Sequence, residues 1–309
     1  MEKISLALSS GFDDKSTLLA GKYVLKAGYY RNLYNNIKQE FQKRYTNKSG
    51  LLEQDTQTAY LLALKLNLFS TEAIRWKAIV HLLQMIDYDG KLNTGFVGTG
   101  TIMTTLSDVG LIGIAYNLLL QRKNPSWLYS VDQGATTIWE RWNSYTKENG
   151  FHPDIGMNSF NHYAYRAVAE WMYRYVAGIN PDEKCPGFKH IILNPFPDLR
   201  KFIPEGQKRI TQAEASYDSY YGKIRSAWKI ETGKIKYDVT IPANTTATLS
   251  LLAKEGEVFE SGIPVKDAKG IISVRMEDRK AVIELASGSY LFEVLFDNET
   301  LIDRIVYDL

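Results

Sequence analysis

A single cysteine, Cys185, leaves no room for an intrachain disulfide or a cysteine-ligated zinc site. Histidine is equally scarce: His81, His152, His162 and His190 are scattered without metal-ligand spacing, so neither a metal nor another cofactor is expected. Long apolar runs are missing, none approaching the roughly 20 residues of a membrane span. The N-terminus offers only Ile4–Leu8, without the basic start and small-residue cleavage site of a signal peptide. On this reading no membrane is a partner, and the chain as it stands is cytoplasmic. Charge of one sign is not in excess either. Lys plus Arg number 37 against 35 Asp plus Glu, which argues against nucleic acid and points to a neutral partner. The glycine-rich stretch Gly90–Gly100 lacks the lysine and the preceding strand of a phosphate-binding loop, so no nucleotide is expected.

What the chain does have is aromatic surface: 20 Tyr and 6 Trp, more than a core alone requires, suited to stacking on sugars or to a large interface. At 309 residues, two domains are expected. From about Ser16 to Tyr45, apolar residues recur at three and four positions, the spacing of an amphipathic helix that Gly28 could interrupt. Further helical patterns run over about Thr56–Leu66, Thr71–Met85, Thr101–Leu106, Val109–Gln121 and Asn158–Val176. Ile179 to Gly187 reads as a linker. Beyond it, short Ile-, Val-, Thr- and Tyr-rich segments at His190–Leu193, Thr211–Tyr217, Ile224–Ile230, Ile235–Ile241, Thr246–Leu251, Ile271–Met276, Ala281–Leu285 and Tyr290–Leu295 predict an antiparallel sandwich. Residues 1–178 thus read as a helical domain and 179–309 as a β-sandwich, an α+β multidomain chain.

The chemistry is placed at Gln133–Trp142, Gln-Gly-Ala-Thr-Thr-Ile-Trp-Glu-Arg-Trp, where Glu140 lies among two tryptophans and an arginine. The spacing predicts a helix start capped by Thr136 or Thr137, with Glu140 in or near the first turn, where the helix dipole favours the ionised carboxylate of a general base. Trp139 and Trp142 would share a face, and such rings stack on the apolar side of sugars. Taken alone, the decamer reads first as an ordinary amphipathic helix with two core tryptophans and a solvated Glu-Arg pair. In the last helical segment Asn158, Asn161, His162 and Tyr165 fall at i, i+3, i+4 and i+7, like the wall of a polar pocket. The alternative is a helix capped by Asn158 or Ser159 with His162 as a satisfied core histidine. The two segments lie about twenty residues apart, which permits a shared cavity.

Several blocks in order carry a resemblance: Asp55-Thr56-Gln57-Thr58-Ala59-Tyr60, Thr94-Gly95-Phe96-Val97-Gly98-Thr99, Pro125-Ser126-Trp127-Leu128-Tyr129, Gly134-Ala135-Thr136-Thr137-Ile138-Trp139-Glu140-Arg141-Trp142 and Met157-Asn158-Ser159-Phe160-Asn161-His162-Tyr163-Ala164-Tyr165. Ala215–Ser219 and Ile241–Ala247 follow in the same order. Together they resemble the C-terminal half of bacterial α-L-rhamnosidases of glycoside hydrolase family 78. The resemblance implies part of an (α/α)6 barrel followed by a β-sandwich, and hydrolysis of terminal α-L-rhamnosides with inversion. It assigns Glu140 as general base and His162 to the sugar pocket, with Trp139, Trp142, Trp127, Tyr129 and Asn161 as further substrate-binding candidates. A rhamnose-containing glycan or glycoside is the implied partner.

The family's general acid belongs to an upstream barrel segment, and no counterpart is read before Ser16; Asp13 and Asp14 do not match its motif. The expectations are therefore a fragment of a longer polypeptide, or a truncated, non-catalytic rhamnoside-binding or structural remnant. A different α-barrel enzyme, a glycoside phosphorylase or lyase, is a third reading, but no basic cluster marks a phosphate site. Barrel faces left uncovered would favour self-association. Longer members of the family can be exported.

Overall fold

The structure is a computed structural model that describes residues 1–10, 17–89 and 91–295. Asp13 and Asp14 lie outside the described residues. The helical part runs α1 (Glu2–Ser10), α2 (Thr17–Tyr45), α3 (Gln57–Lys65), α4 (Glu72–Asp89), α5 (Phe96–Asp108), α6 (Ile112–Leu119) and α7 (Trp127–Asp132). Gly28 sits inside α2 without interrupting it. Val24, Leu25, Tyr29 and Ile37 on α2 are exposed, the uncovered apolar surface expected of part of a barrel.

The block Asp55–Tyr60 shows why α3 starts where it does and how it holds α5. Thr56, in extended conformation, accepts the Ala59 N–H at 3.2 Å and caps the helix. Gln57 is buried and reaches the connection between α4 and α5, accepting the Asn93 N–H at 2.9 Å and donating to Lys91 O at 3.4 Å. Thr58 lies where Gly98 brings α5 close. A Cβ on Gly98 would stand 2.4 Å from Thr58 Oγ1 and 2.8 Å from Thr94 Cβ. Gly98→Ala is accordingly expected to cost about 1–3 kcal/mol through overpacking, read as a lower urea midpoint with an unchanged m-value.

Tyr60, Leu61 and Leu64 of α3 pack with Ala78, Ile79, Leu82 and Ile86 of α4 and Ile102, Met103 and Leu106 of α5. Each such leucine or isoleucine contributes about 1.5–3 kcal/mol by full burial.

After α7 the chain leaves regular helix. A short antiparallel pair, β1 (Tyr145–Thr146) with β2 (Gly150–Phe151), is followed by single 3-10 turns and by α8 (Val168–Trp171), which runs into one turn of π-helix at Met172–Val176. The helix start predicted within Gln133–Trp142 is absent, and of the helix predicted over about Asn158–Val176 only the part from Ala164 on is helical, residues 158–163 being irregular. The backbone groups of these two stretches bond to each other across some twenty residues instead of to i−4.

The strands begin earlier than the linker reading placed them, because Ile179–Pro181 forms β3 on β4 (His190–Leu193). Pro181 is tolerated because β3 lies at the sheet edge. There follow β5 (Gln212–Ser219), β6 (Gly222–Glu231), β7 (Lys234–Ile241), β8 (Thr246–Leu252), β9 (Val258–Glu260), β10 (Ile263–Pro264), β11 (Ile271–Glu277), β12 (Lys280–Leu285) and β13 (Gly288–Leu295). One sheet orders β10-β9-β13-β7-β6-β5, the other β11-β12-β8-β4-β3. Among the described residues all strand pairs are antiparallel except β4 with β8, which is parallel.

Alternation puts Ile224, Trp228, Tyr237, Val239, Phe292 and Val294 of one sheet against Leu249, Leu251, Ile283 and Leu285 of the other. The core continues into the helices. Trp228 Nε1 donates to Val176 O at 2.7 Å and Ser226 Oγ to Ala177 O at 2.6 Å. Between them the backbone needs Gly178, at φ 79°, where a Cβ would lie 2.2 Å from Pro195 N.

Candidate active site

Two loops, Gly134–Ser144 and Asn158–Tyr163, run against each other and create the site. Glu140 N–H donates to Ser159 O at 2.9 Å, His162 N–H to Ile138 O at 2.8 Å, and the Thr137 hydroxyl to Phe160 O. Thr136 and Thr137 therefore cap no helix. The β-branched run Thr136-Thr137-Ile138 suits this extended pairing better than a helical turn.

The pairing fixes the Glu140 carboxylate. Its Oε2 accepts the Ser159 N–H at 3.0 Å, and its Oε1 lies 3.8 Å from His162 Nε2. The carboxylate is 16% and the imidazole 20% exposed, so both are reachable by a small ligand while most of each side chain is shielded. His162 is held in turn by stacking, 4.8 Å from the Phe96 ring at the start of α5 and 4.9 Å from Tyr163.

Trp142 of the decamer forms the wall behind, together with Tyr165, Trp127 and Phe96. Tyr165 leans on Phe96 at 5.5 Å and lies flat on Trp142, with centroids 3.9 Å apart and planes within 3°. Trp142 meets Trp127 edge-on at 5.3 Å, and Trp127 Nε1 donates to Tyr165 O at 3.0 Å. Burial pushes the Tyr165 hydroxyl up from its ordinary range, as does the nearby Glu140 charge, while Arg141 opposes them. Trp139 faces the other way, edge-on to Phe160 at 5.2 Å. It therefore shares no face with Trp142, as a helix would have required.

Arg141 is turned away from Glu140. Its guanidinium donates to Asp154 at 2.6 Å and contacts the His152 ring. The hydrogen bond from Arg141 is the chief reason that the Asp154 carboxyl sits below the usual carboxylate range.

Glu140, His162, Trp142 and Trp127 are thus joined in one contact network, with Trp139 on its far side. Asn161 is exposed, its N–H donating to Ser159 Oγ at 3.3 Å. Tyr129 is half-buried in α7, where its N–H is capped by Ser126 Oγ at 3.1 Å. Phe96 and Ser159 were not among the sequence candidates. A large aromatic inside the glycine and threonine run 94–100 was the available signal for Phe96; a backbone donor such as Ser159 N–H leaves none. Among the described residues no cluster of three His, Cys, Asp or Glu could hold a metal, and no helix is long and apolar enough to cross a membrane.

Chemically, the arrangement is a carboxylate with one oxygen anchored by a backbone N–H and the other turned to an imidazole, beside stacked rings. It can orient a hydroxyl or accept a proton from a bound water.

Comparison with known proteins places these features in a family. The profile of the bacterial alpha-L-rhamnosidase 6 hairpin glycosidase domain matches residues 15–176, and that of the bacterial alpha-L-rhamnosidase C-terminal domain matches residues 178–264. The chain is 37% identical over 282 residues to an alpha-L-rhamnosidase of Streptomyces avermitilis, covering 91% of this chain and 25% of that protein. An alpha-L-rhamnosidase of Formosa agariphila is 37% identical over 277 residues, covering 86% and 28%. The crystal structure of the Streptomyces avermitilis alpha-L-rhamnosidase complexed with L-rhamnose superposes with TM-score 0.75 at 36% identity, over 89% of this chain and 25% of that one. The chain therefore spans about a quarter of the length of these relatives. With more than half of its residues matched by the glycosidase-domain profile, and at this identity to its relatives, the chain belongs to the bacterial α-L-rhamnosidase family.

Proposed function

We propose that this chain supplies the water-activating half of an inverting α-L-rhamnosidase site, with Glu140 as general base and a terminal α-L-rhamnoside as substrate. The observation that carries this reading is the Glu140 carboxylate itself, anchored on one oxygen by Ser159 N–H and partly open on the other beside His162. Inversion requires a water between the base and the anomeric carbon, and a protonated acid on the opposite face of the sugar, the two carboxyl groups about 6.5–9.5 Å apart. Glu140 takes the proton from that water as the oxygen attacks and the glycosidic bond breaks. The acid that protonates the departing oxygen belongs, by resemblance, to another segment of the barrel. His162 and the aromatic wall of Phe96, Tyr165 and Trp142 hold the sugar, whose 6-methyl group and ring C–H bonds suit ring faces.

The test uses an aryl α-L-rhamnoside whose phenolate leaves with little protonation, so that turnover reports on the base half. Proton NMR of the first-formed sugar is expected to show β-L-rhamnose before mutarotation. First-formed α-L-rhamnose would overturn the inverting assignment. Binding of L-rhamnose without any turnover would instead support the non-catalytic alternative.

A further inference from the structure

The tyrosine content is only partly used by the site. A second aromatic cluster stands outside it, at the end of the β5–β6 hairpin. Ser219 pairs with Gly222, so Tyr220 and Tyr221 form the whole two-residue loop. Such loops are most cheaply built from Asn, Asp and Gly. Here neither loop residue is one of these: Gly222, just after the loop, takes φ 122°, and Ser219 Oγ accepts the Tyr221 N–H at 3.2 Å and donates to Gly222 O at 2.7 Å. The two tyrosines are therefore spare bulk as far as the turn is concerned, and Tyr220 is 98% exposed.

The Tyr220 and Tyr221 rings meet edge-on, 6.0 Å apart, and neighbouring groups extend this tip into an aromatic cluster. Tyr217 is exposed on β5, and Phe188 lies 4.9 Å from its ring. Phe188 takes φ 67°, a conformation a bulky side chain rarely adopts, so the fold holds this ring in place against a local preference. Lys189 Nζ sits 5.2 Å from the Tyr221 ring centroid and donates to Asn244 O, which leaves the opposite ring face clear of it. Tyr173, exposed at the edge of the helical part, donates to Ser216 O of β5 at 3.4 Å. Asp218 and Lys223, 4.0 Å apart, offset each other's charge.

We propose that Tyr217, Tyr220 and Tyr221 form a saccharide-docking platform that holds a neutral, rhamnose-containing polysaccharide by ring stacking, apart from the Glu140 site. Exposed phenol rings offer an apolar face with a hydrogen-bonding tip, which matches a deoxysugar. Of the cations beside them, Lys223 faces Asp218 and Lys189 is held by Asn244 O and the Tyr221 ring, so these residues present no cluster of free cations to an anionic chain. The inference rests on the rhamnoside reading of the Glu140 site for the identity of the sugar.

The experiment is affinity gel electrophoresis of the protein in a soluble neutral rhamnan, with Glu140→Gln present to prevent hydrolysis. Retardation is expected, and Tyr220→Ala/Tyr221→Ala should weaken it about fivefold or more, while Tyr220→Phe/Tyr221→Phe stays within about twofold because the rings remain. Melting temperature and aryl-rhamnoside turnover of the tyrosine variants made without Glu140→Gln should be unchanged. No retardation of the parent protein, equal retardation of the alanine variant, or an equal loss in the phenylalanine variant would each overturn the platform. Aryl-rhamnoside turnover judges Glu140 and the gel judges the tyrosines, so either reading can fail alone.

Discussion

Glu140→Gln is expected to lower turnover of an aryl α-L-rhamnoside by about 10²–10⁴-fold, or about 3–5 kcal/mol of transition-state stabilisation. Glutamine is nearly isosteric, and its carbonyl oxygen can still accept the Ser159 N–H that Glu140 Oε2 accepts at 3.0 Å. The paired loops should therefore keep their geometry, and KM should change little. What the amide cannot do is take a proton from water. The loss should then fall on kcat, the signature of an interaction made only in the transition state. Azide sharpens the test, because it attacks the anomeric carbon without needing deprotonation. In an inverting site it should restore part of the lost rate and yield β-L-rhamnosyl azide, the aryl group leaving from the opposite face. Turnover within tenfold of the parent protein, with no azide effect, would remove Glu140 from the chemistry.

The ordered blocks pointed to Glu140 and His162 together, yet the local geometry expected for them was helical. The reason is physical. Periodicity reports hydrogen bonds between near neighbours, whereas Glu140 N–H and His162 N–H bond to Ser159 O and Ile138 O, some twenty residues away. A run such as Thr136-Thr137-Ile138 followed by Trp-Glu-Arg-Trp satisfies a helical pattern without forming a helix. Where the contacts are local the reading holds: the helical pattern over about Thr56–Leu66 is α3 (Gln57–Lys65), and the segment Ile235–Ile241 lies in β7 (Lys234–Ile241). Ile179-Asn180-Pro181 reads as linker because Asn and Pro are poor strand formers, and it forms a strand because an edge position asks little of Pro181. Phe96 was hidden differently. Its stacking on His162 depends on how α3 and the Gln57 side chain set the start of α5, which is tertiary information.

The same blindness to tertiary partners covers the Asp198-Leu199-Arg200 tripeptide, and it sets up the second large effect. Arg200 is expected to be among the most destabilising positions to truncate, with Arg200→Met costing about 3–5 kcal/mol. Its guanidinium meets Asp198 side-on, Nε to Oδ1 at 2.7 Å and Nη2 to Oδ2 at 2.8 Å, with the two side chains 2% and 0% exposed. Nη1 also donates to Asn117 Oδ1 of α6 and to Gln207 Oε1, each at 2.7 Å. The pair thus ties α6 to the segment that leads into β5. Methionine fills much of the volume but leaves a dry carboxylate with only the backbone N–H groups of Ile210, at 2.9 Å, and Arg200, at 3.4 Å. Asn117 Oδ1 and Gln207 Oε1 lose a charged donor at the same time. Ion pairs at the surface are worth far less: Lys3→Met, whose salt bridge to Glu183 is mostly exposed, should shift stability by less than about 1 kcal/mol. Denaturation midpoints of the two variants, compared at neutral pH, check the contrast. An Arg200→Met protein as stable as Lys3→Met would mean that water reaches Asp198 and that the junction is not held by a buried charge pair.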